Sequence, residues 1–271
     1  MNEKRKKVGL ALGSGGIRGL AHVGVIKKLI ENDIPIDFIA GSSIGSWVGA
    51  HYALFQDIKK LEEYTLGKKK EKFLTFLEPT INGAFSKGEK LTKLLEQWLD
   101  DAEFKNTKIP LAIVATDLIT GKTVIFKKGK LVPAIRASMC IPTIFTPIKI
   151  GKNLLVDGGL SDPVPDELLR KMGADIVISV NLDNYIKNEK FNANLKFGLS
   201  RTALRSLNIL RYHLARHSTA SSDIIIEPYT PAVGIKSFRD YFTNKNGQQL
   251  IKNGEKETAK VIEKIKILLK N

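Results

Sequence analysis

The chain has 271 residues, a formal net charge of +15 and a hydrophobic fraction of 43%. These values fit a globular protein with a sizeable core, and no apolar run approaches the ~20 residues that a membrane-spanning helix needs. The single cysteine, Cys140, excludes an internal disulfide, and we interpret it as a small buried hydrophobe in a reducing compartment. Because only a strand's length of apolar residues follows the basic N-terminal residues, we expect no signal peptide and a cytoplasmic protein.

The excess of Lys and Arg indicates an anionic partner. Basic residues cluster at positions 4–7 and 68–70 and along 201–216. Nucleic acid is not expected, because aromatic residues make up only 7% of the chain and no zinc-finger or RNP-like motif is present. An anionic lipid surface fits better, since each nearby Lys or Arg adds about 1 kcal/mol of attraction, and it predicts peripheral association with the inner membrane face. The alternative is that the lysines only keep the surface soluble.

Several short apolar runs lack alternation, which is typical of strands buried on both faces of a parallel-rich sheet. These runs are 8–12, 38–40, 111–115, 124–126, 154–156, 176–180 and 224–226. Helical patterns alternate with them, so the sequence predicts an α/β layered fold. No internal repeat or low-complexity linker divides the chain. We therefore expect a single domain over 1–271, with a core of about residues 7–180 and C-terminal helical and strand elements over 181–271.

The first strand leads into a glycine-rich segment, residues 13–19 (GSGGIRG), which precedes a helical stretch over 20–30 and is called the Gly-rich loop below. Such a loop presents backbone N–H groups to an anion, either a phosphate or the oxyanion of an acyl-transfer transition state. Arg18 adds a positive charge there. A dinucleotide site is disfavoured because Asp37 precedes the second strand rather than ending it. A P-loop is excluded because the Gly-Lys-Ser/Thr sequence is missing.

The second strand runs into the pentapeptide Gly41-Ser42-Ser43-Ile44-Gly45, and an apolar helical stretch follows over 47–54. A serine between a strand and a helix, with a glycine two residues to either side, is typical of a hydrolase nucleophile on a sharp turn. Glycine is favoured in such a turn because a Cβ would clash with the crowded backbone. The pattern alone is weak evidence, since Ser43 could simply cap the helix.

A third candidate segment is Asp157-Gly158-Gly159, which ends the strand over 154–156. A carboxylate at the C-terminal edge of a strand can reach the crevice above the sheet and accept a proton from Ser43. The alternative is an ordinary turn, because Asp-Gly is among the commonest turn pairs.

Three segments outside these motifs have helical patterns. In 61–91, the lysines at 68–70 and the apolar residues at 73–77 suit a membrane-facing lid, although an ordinary amphipathic helix is favoured. Residues 200–217 predict a helix with a core-packing leucine stripe and a solvated basic face. The stripe consists of Leu204, Leu207, Leu210 and Leu214, and the basic face of Arg201, Arg205, Tyr212 and Arg216. Residues 256–269 predict one final helix that covers a face of the sheet.

Taken together, the motifs resemble the patatin-like phospholipase family, of the compact bacterial type. The resemblance is carried by residues 10–25, 40–46, 134–142 and 155–165, in the family's order, and continues into 173–178. It implies a three-layer α/β/α fold with a mostly parallel central sheet. It also implies a catalytic dyad without histidine, in which Ser43 is the nucleophile and Asp157 the general base. One departure is Ser14, where the family often has a third glycine.

The resemblance also implies an oxyanion hole in the Gly-rich loop, formed by the amides of Gly15 and Gly16 with the charge of Arg18 nearby. The supporting motif residues are Gly13, Gly19, Gly41, Gly45, Gly158 and Gly159. We therefore expect a serine hydrolase that cleaves acyl esters of phospholipids, lysophospholipids or related lipids through an acyl-enzyme intermediate. No cofactor and no metal are expected, and calcium is disfavoured because no acidic loop has ligand spacing. The sequence favours no particular oligomeric state.

Two alternatives remain open. A non-catalytic lipid-surface binding protein also predicts a basic surface and apolar helix faces, but it does not predict an intact set of Ser43, Asp157 and glycines. A Ser-Asp-His triad could use His213 or His217, which follow Asp157 in the order found in α/β-hydrolases. Against the triad, Ser43 comes after only two strands. Of the remaining histidines, His22 follows the Gly-rich loop and His51 lies two turns beyond Ser43.

Overall fold

In the computed structural model, the residues described are 5–67, 86–142, 144–184, 198–230 and 247–270. Their strands are β1 (Val8–Leu12), β2 (Phe38–Ser42), β3 (Leu111–Asp117), β4 (Thr123–Phe126), β5 (Ile148–Ile150), β6 (Asn153–Val156), β7 (Ile176–Val180) and β8 (Ile224–Ile226). Their α-helices are α1 (Leu20–Ile30), α2 (Ile44–Phe55), α3 (Ile58–Leu66), α4 (Glu89–Leu99), α5 (Leu131–Ser138), α6 (Asp166–Met172), α7 (Leu199–His217), α8 (Gly247–Ala259) and α9 (Ile262–Lys270). Short 3₁₀ turns include Gly16–Gly19 and Gly158–Leu160.

The strands form one sheet in the order β5-β6-β3-β2-β1-β7-β8, and β4 pairs with β3 beside this path. The pairs among β3, β2, β1, β7 and β8 are parallel, whereas β4 and β6 run antiparallel to β3 and β5 runs antiparallel to β6. In the register of β1 with β2, Leu12 lies opposite Gly41. The Gly-rich loop and Ser43 therefore leave the sheet side by side at its carboxyl edge, where open parallel sheets bind their ligands.

Helices cover both faces of the sheet, which confirms the α/β fold with a mostly parallel centre. On one face, large side chains such as Leu10, Leu12 and Ile39 pack against α1, α2 and α8. On the other face the strands present smaller residues, including Ala11 and Ala40, against α6 and the buried Ala215 of α7. The alternation of side chains along each strand separates these two apolar layers.

Helix α1 packs closely against α8 through two glycines. A Cβ at Gly24 would collide with the carbonyl oxygen of Ile251, and a Cβ at Gly254 would collide with that of Ala21. The two backbones therefore approach each other at a distance that only glycine permits. This crossing fixes the C-terminal α8 against the helix that follows the Gly-rich loop.

The strand predictions are confirmed, with β2 and β3 each extending two residues beyond the predicted end. The sequence analysis missed β5, because its three residues are too few to form a recognisable apolar run. The prediction of one helix over 256–269 is wrong, since α8 ends at Ala259 and α9 begins at Ile262. Two i→i−3 bonds, from Lys260 N to Glu257 O and from Val261 N to Thr258 O, tighten the chain at this junction. The predicted lid segments at 68–70 and 73–77 lie outside the described residues.

The prediction of a core-packing leucine stripe on α7 is also wrong at two of its residues, whereas Leu214 is half-buried and the side chains of Leu204 and Arg201 lie outside the described residues. Leu207 is 54% exposed and Leu210 is 65% exposed. The helix instead faces the sheet with Ala215, and the side chains of Arg211 and Tyr212 are half-buried beside it. Tyr212, which was predicted to lie on the solvated face, is thus partly covered. The apolar periodicity predicted a helix with an apolar face, but it did not predict which face of the helix packs against the sheet.

Candidate active site

Ser43 lies in the turn between β2 and α2 with φ +54° and ψ −124°. Backbone of this kind costs a non-glycine residue about 1–3 kcal/mol and persists only where its surroundings hold it. The amide of Ser43 donates to Ser138 Oγ over 2.8 Å, and its carbonyl accepts from Ser46 Oγ over 2.5 Å. A Cβ at Gly41 would lie 2.5 Å from the carbonyl oxygen of Gly45, and one at Gly45 would collide with the strand β1 backbone. Both motif glycines are therefore required by crowding.

The hydroxyl of Ser43 contacts the carboxyl group of Asp157 directly. Ser43 Oγ donates to Asp157 Oδ2 over 2.5 Å, although the two residues are 114 positions apart in the chain. Asp157 follows β6, which pairs with the end of β3. Its Oδ1 accepts from the amide of Gly159 over 2.8 Å, and its backbone carbonyl accepts from Thr116 Oγ1 over 2.8 Å. Each carboxylate oxygen thus has a defined donor, which fixes the carboxyl plane.

Both members of this pair are buried, with Ser43 4% exposed and Asp157 6% exposed. Burial raises the pKa of Asp157 above the usual range of a carboxyl group, because desolvation disfavours the charged form. The positive charge of Arg211 and the hydrogen bonds from Ser43 and Gly159 oppose this effect without cancelling it. The carboxylate is therefore a stronger base than an exposed aspartate.

The Gly-rich loop is held next to this pair by backbone hydrogen bonds. The amide of Gly13 donates to Val180 O over 3.1 Å, and that of Ser14 donates to Pro163 O over 2.8 Å. On its other side the loop touches the Asp157 turn, since a Cβ at Gly159 would lie 2.8 Å from Ser14 Oγ. The 3₁₀ turn Gly16–Gly19 starts here, and the first amides of a helical turn have no partner within it.

Other motif glycines are also in close contacts, whereas Gly16 has φ +56° and no atom within 4 Å of the position that a Cβ would take. Gly19 faces the side chain of Ile44 at the start of α2, Gly15 packs against Leu182, and Gly158 lies against the carbonyl oxygen of Val114. The predicted site residues from all three motifs are thus brought together at one edge of the sheet.

Arg18 is buried at the base of the loop, where its guanidinium holds the chain together. It donates to Gly15 O over 3.0 Å, to Leu182 O over 2.9 Å and to Asp183 Oδ1 over 3.0 Å. Its side chain is 7% exposed and that of Asp183 is 1% exposed. These contacts fix the loop between β1 and the chain after β7.

Helix α7 reaches the same cluster through Arg211. Its Nη2 donates to Ser14 Oγ over 3.1 Å and to Asp183 Oδ2 over 3.1 Å. Burial alone would raise the pKa of Asp183, but the charges of Arg211 and Arg18 outweigh it and hold that pKa below the usual range. Asp183 is therefore an ionised carboxylate between two guanidinium groups. We call Arg18, Asp183, Arg211 and Ser14 the arginine–aspartate cluster.

The sequence analysis missed four residues of this site, namely Thr116, Ser138, Asp183 and Arg211. Asp183 carried a usable signal, because it follows a buried strand at the carboxyl edge of the sheet. Ser138 lies within the 134–142 segment that carries the resemblance. Thr116 and Arg211 have no local signature, since a hydroxyl or guanidinium on a strand or helix can face several directions.

None of the four histidines is hydrogen-bonded to Ser43 or Asp157 in the described ranges. His22 is buried with Nε2 2.7 Å from Gly13 O, and burial lowers its pKa to about 4. His51 is buried beside the ring of Phe55, with a centroid separation of 4.8 Å, and burial likewise lowers its pKa to about 4. His213 and His217 are exposed on α7.

Cys140 is buried, as predicted, and its carbonyl accepts the amide of Asp157 over 2.9 Å. Burial raises the pKa of its thiol, which makes the thiol unreactive. Among the residues that the structure describes, no three His, Cys, Asp or Glu side chains are grouped so as to hold a metal ion. Within the same ranges, none of the helices has the length and apolar character needed to span a bilayer.

Comparison with known proteins supplies the family context. A family model described as patatin-like phospholipase matches residues 10–169. An uncharacterized NTE family protein of Mycobacterium tuberculosis is 39% identical over 181 residues, which cover 65% of this chain and 49% of that protein. A protein of Aspergillus fumigatus named lysophospholipase nte1 is 30% identical over 189 residues, which cover 68% of this chain and 12% of that protein. The chain therefore matches about half of the mycobacterial relative and a small part of the fungal one.

A solved structure with a similar fold is VipD from Legionella pneumophila. It superposes with a TM-score of 0.54 at 13% identity, covering 96% of this chain and 67% of that chain. At this identity the similarity concerns the fold alone.

Proposed function

The chain belongs to the patatin-like phospholipase family, and on that premise we propose that it hydrolyses acyl ester bonds of phospholipids or lysophospholipids with Ser43 as nucleophile and Asp157 as general base. The observation that carries the proposal is the 2.5 Å hydrogen bond from Ser43 Oγ to Asp157 Oδ2. A hydroxyl is a poor nucleophile until a base removes its proton, and a buried carboxylate with a raised pKa is suited to that task.

In the first half of the proposed reaction, the proton of Ser43 Oγ passes to Asp157 Oδ2 while Oγ bonds to the ester carbonyl carbon. The carbonyl oxygen becomes an oxyanion, and the amides of Gly15 and Gly16 are the donors we assign to it. A well-aimed donor of this kind contributes ~3 kcal/mol to the transition state. Arg18 acts as a positioning residue in this scheme, because its three hydrogen bonds fix the loop that carries these amides.

The tetrahedral intermediate then collapses to an acyl-enzyme. The bond between the carbonyl carbon and the leaving oxygen breaks, and that oxygen takes the proton from Asp157 and departs as an alcohol or lysolipid. Water next gives a proton to Asp157 and attacks the acyl carbon. Collapse of the second intermediate returns the proton to Ser43 Oγ and releases a carboxylic acid. Ester cleavage suits a dyad, because the leaving oxygen needs less protonation than an amide nitrogen.

The name of the fungal relative supports lysophospholipids as a substrate class for this chain. The substrate acyl position and the balance between hydrolysis and transacylation are set by the shape of the mouth and by water access to the acyl-enzyme. Defined lysophospholipids, diacyl phospholipids and neutral acyl esters should therefore be compared as substrates, with the released products identified by mass spectrometry.

A covalent probe tests the assignment of the nucleophile. We expect a fluorophosphonate to label the wild-type protein and to leave Ser43→Ala unlabelled, whereas Ser206→Ala, which removes an exposed serine of α7, should label normally. Asp157→Asn should abolish ester turnover. Absence of label on the wild type would favour the non-catalytic lipid-binding alternative.

The histidine triad is tested in the same assay. His213→Ala and His217→Ala should keep nearly full turnover, because both side chains are exposed on α7 and neither is hydrogen-bonded to Ser43. A loss in either variant as large as that in Asp157→Asn would replace the dyad with a triad.

A further inference from the structure

Exposed apolar side chains lie on both sides of the buried dyad. On one side, the turn after β3 carries Leu118 and Ile119, which are 50% and 73% exposed, and the turn after Asp157 carries Leu160, which is 40% exposed. On the other side, Leu207 and Leu210 of α7 are 54% and 65% exposed. We call these five residues the catalytic rim.

Hydrogen bonds join the first group to the site. Thr116 Oγ1 donates to the carbonyl of Asp157, and the hydroxyl of Ser161 lies 2.8 Å from Thr116 Oγ1 and 2.9 Å from Thr123 Oγ1. These hydroxyls tie the strands of the β3–β4 hairpin to the turn that carries Leu160. Because Ser42 pairs with Val114, the hairpin tip extends several residues beyond the level of Ser43.

The second group is connected through the Gly-rich loop. Arg211 donates to Ser14 Oγ over 3.1 Å, and Ser14 Oγ lies beside Gly159 in the Asp157 turn. Leu210 is the chain neighbour of Arg211, and Leu207 lies one helical turn before it. The rim residues of α7 are therefore anchored to the same turn as Leu160.

The hairpin tip is ordered although its apolar side chains are exposed. Asp117 accepts from Thr120 Oγ1 over 2.7 Å and from the amide of Leu154 over 3.3 Å, and the amide of Leu118 donates to Leu154 O over 2.7 Å. Two exposed lysines, Lys122 and Lys152, flank the tip in the adjoining turns. An ordered apolar tip between cations complements a surface that is apolar within and anionic outside.

We propose that the catalytic rim docks this protein on the surface of an anionic phospholipid bilayer, with Leu118, Ile119 and Leu210 inserted among the lipids. The net charge of +15 and the lysines beside the tip supply the attraction to anionic headgroups. This docking rests on the proposed lipid hydrolysis, because it delivers an ester of the bilayer to Ser43.

Single tryptophans report which face enters the bilayer. The native tryptophans, Trp47 and Trp98, are both buried, so an added exposed one is distinguishable. The variants are Ile119→Trp, Leu210→Trp and, as the matched control, Ile267→Trp. Ile267 is 57% exposed on α9. The carbonyl of the next residue, Leu268, accepts from Lys6 Nζ, and Lys6 precedes β1. Ile267 therefore lies near the amino edge of the sheet, opposite the edge that carries the active site. All are made in the Ser43→Ala background, so the measurement does not depend on turnover.

With vesicles of phosphatidylcholine and phosphatidylglycerol, we expect the added fluorescence of Ile119→Trp and Leu210→Trp to shift to shorter wavelength and that of Ile267→Trp to stay unchanged. With phosphatidylcholine alone the shift should be weaker, since no anionic charge attracts the lysines. A shift in Ile267→Trp equal to the others, or bound protein without a shift in either rim variant, would overturn the proposal.

Cosedimentation with the same vesicles gives a second measurement. Replacing both apolar residues of the tip, Leu118→Ser with Ile119→Ser, should weaken binding to phosphatidylglycerol vesicles by about tenfold or more, because two apolar side chains no longer leave water. Leu207→Ser with Leu210→Ser tests the other side of the rim, and Ile267→Ser is the control. If both rim double variants bind the vesicles as tightly as wild type, the proposal is refuted. If the wild-type protein hydrolyses none of the esters but binds vesicles through the rim, the proposed function is refuted and the docking proposal is retained.

Discussion

Removing the charge of Asp183 should destabilise the protein strongly, because this buried carboxylate accepts hydrogen bonds from the guanidinium groups of Arg18 and Arg211. Arg18 and Asp183 form a pair 3.0 Å apart whose side chains are 7% and 1% exposed. Truncating one partner of such a buried pair costs about 3–5 kcal/mol. Arg211 is 31% exposed, so its pair with Asp183 is partly screened and is worth about 1 kcal/mol. Asp183→Ala should therefore lower the free energy of unfolding by about 3–5 kcal/mol, and Arg211→Met by about 1 kcal/mol.

Urea unfolding at neutral pH measures these changes, and a double-mutant cycle separates the pair from its surroundings. Arg18→Met should lower the free energy of unfolding much less in the Asp183→Ala background than in wild type, because its ion pair with Asp183 is already lost there. The folded-state pKa of Asp183 lies below the usual value. Its stabilisation is therefore present above the unfolded pKa of about 3.9 and is lost as pH falls through the lowered value. The difference in the free energy of unfolding between wild type and Asp183→Asn should therefore become smaller in acid.

A loss below about 1 kcal/mol in the free energy of unfolding of Asp183→Ala would refute this reasoning, since it lies well under the cost of truncating one partner of a buried ion pair. Additive effects of the substitutions at positions 18 and 183 would refute it as well, because the two side chains would then be energetically independent.

Two further predictions concern the base and the helix crossing. Activity on a soluble ester should fall as pH drops through the raised pKa of Asp157, and Arg211→Gln should move this acidic limb to higher pH, because the charge of Arg211 lowers that pKa. A limb in the kcat/KM profile that stays in place or moves to lower pH would contradict this assignment. Gly254→Ala should lower the free energy of unfolding by about 1–3 kcal/mol, because the added Cβ would collide with the carbonyl oxygen of Ala21. Lys252→Ala, exposed on the same helix, should leave the Tm nearly unchanged.

The sequence predicted the family, the α/β architecture and the strands because their signals are local. Apolar runs report strands that are buried on both faces, and a serine between a strand and a helix needs its glycines within five residues. The family resemblance, now confirmed, singled out Asp157, since an Asp-Gly pair alone is indistinguishable from a turn.

The parts that could not be predicted depend on tertiary contacts. Asp183 and Arg211 are 28 positions apart and meet only because α7 packs beside the carboxyl edge. The period of α7 identified an apolar face but not its direction, so Leu210 was assigned to the core although it is mostly exposed. The junction between α8 and α9 contains neither Gly nor Pro, and no local breaker marks it.

Ser14 has a further consequence for how variants of this protein should be selected. Where the family often has glycine, this chain has a hydroxyl that accepts from Arg211 of α7, a helix beyond the matched residues 10–169. A residue of the C-terminal third therefore contacts the Gly-rich loop directly, beside the Asp157 turn. A mutant library restricted to residues 10–169 would include Ser14 but not Arg211, so selections for altered turnover should also randomise α7.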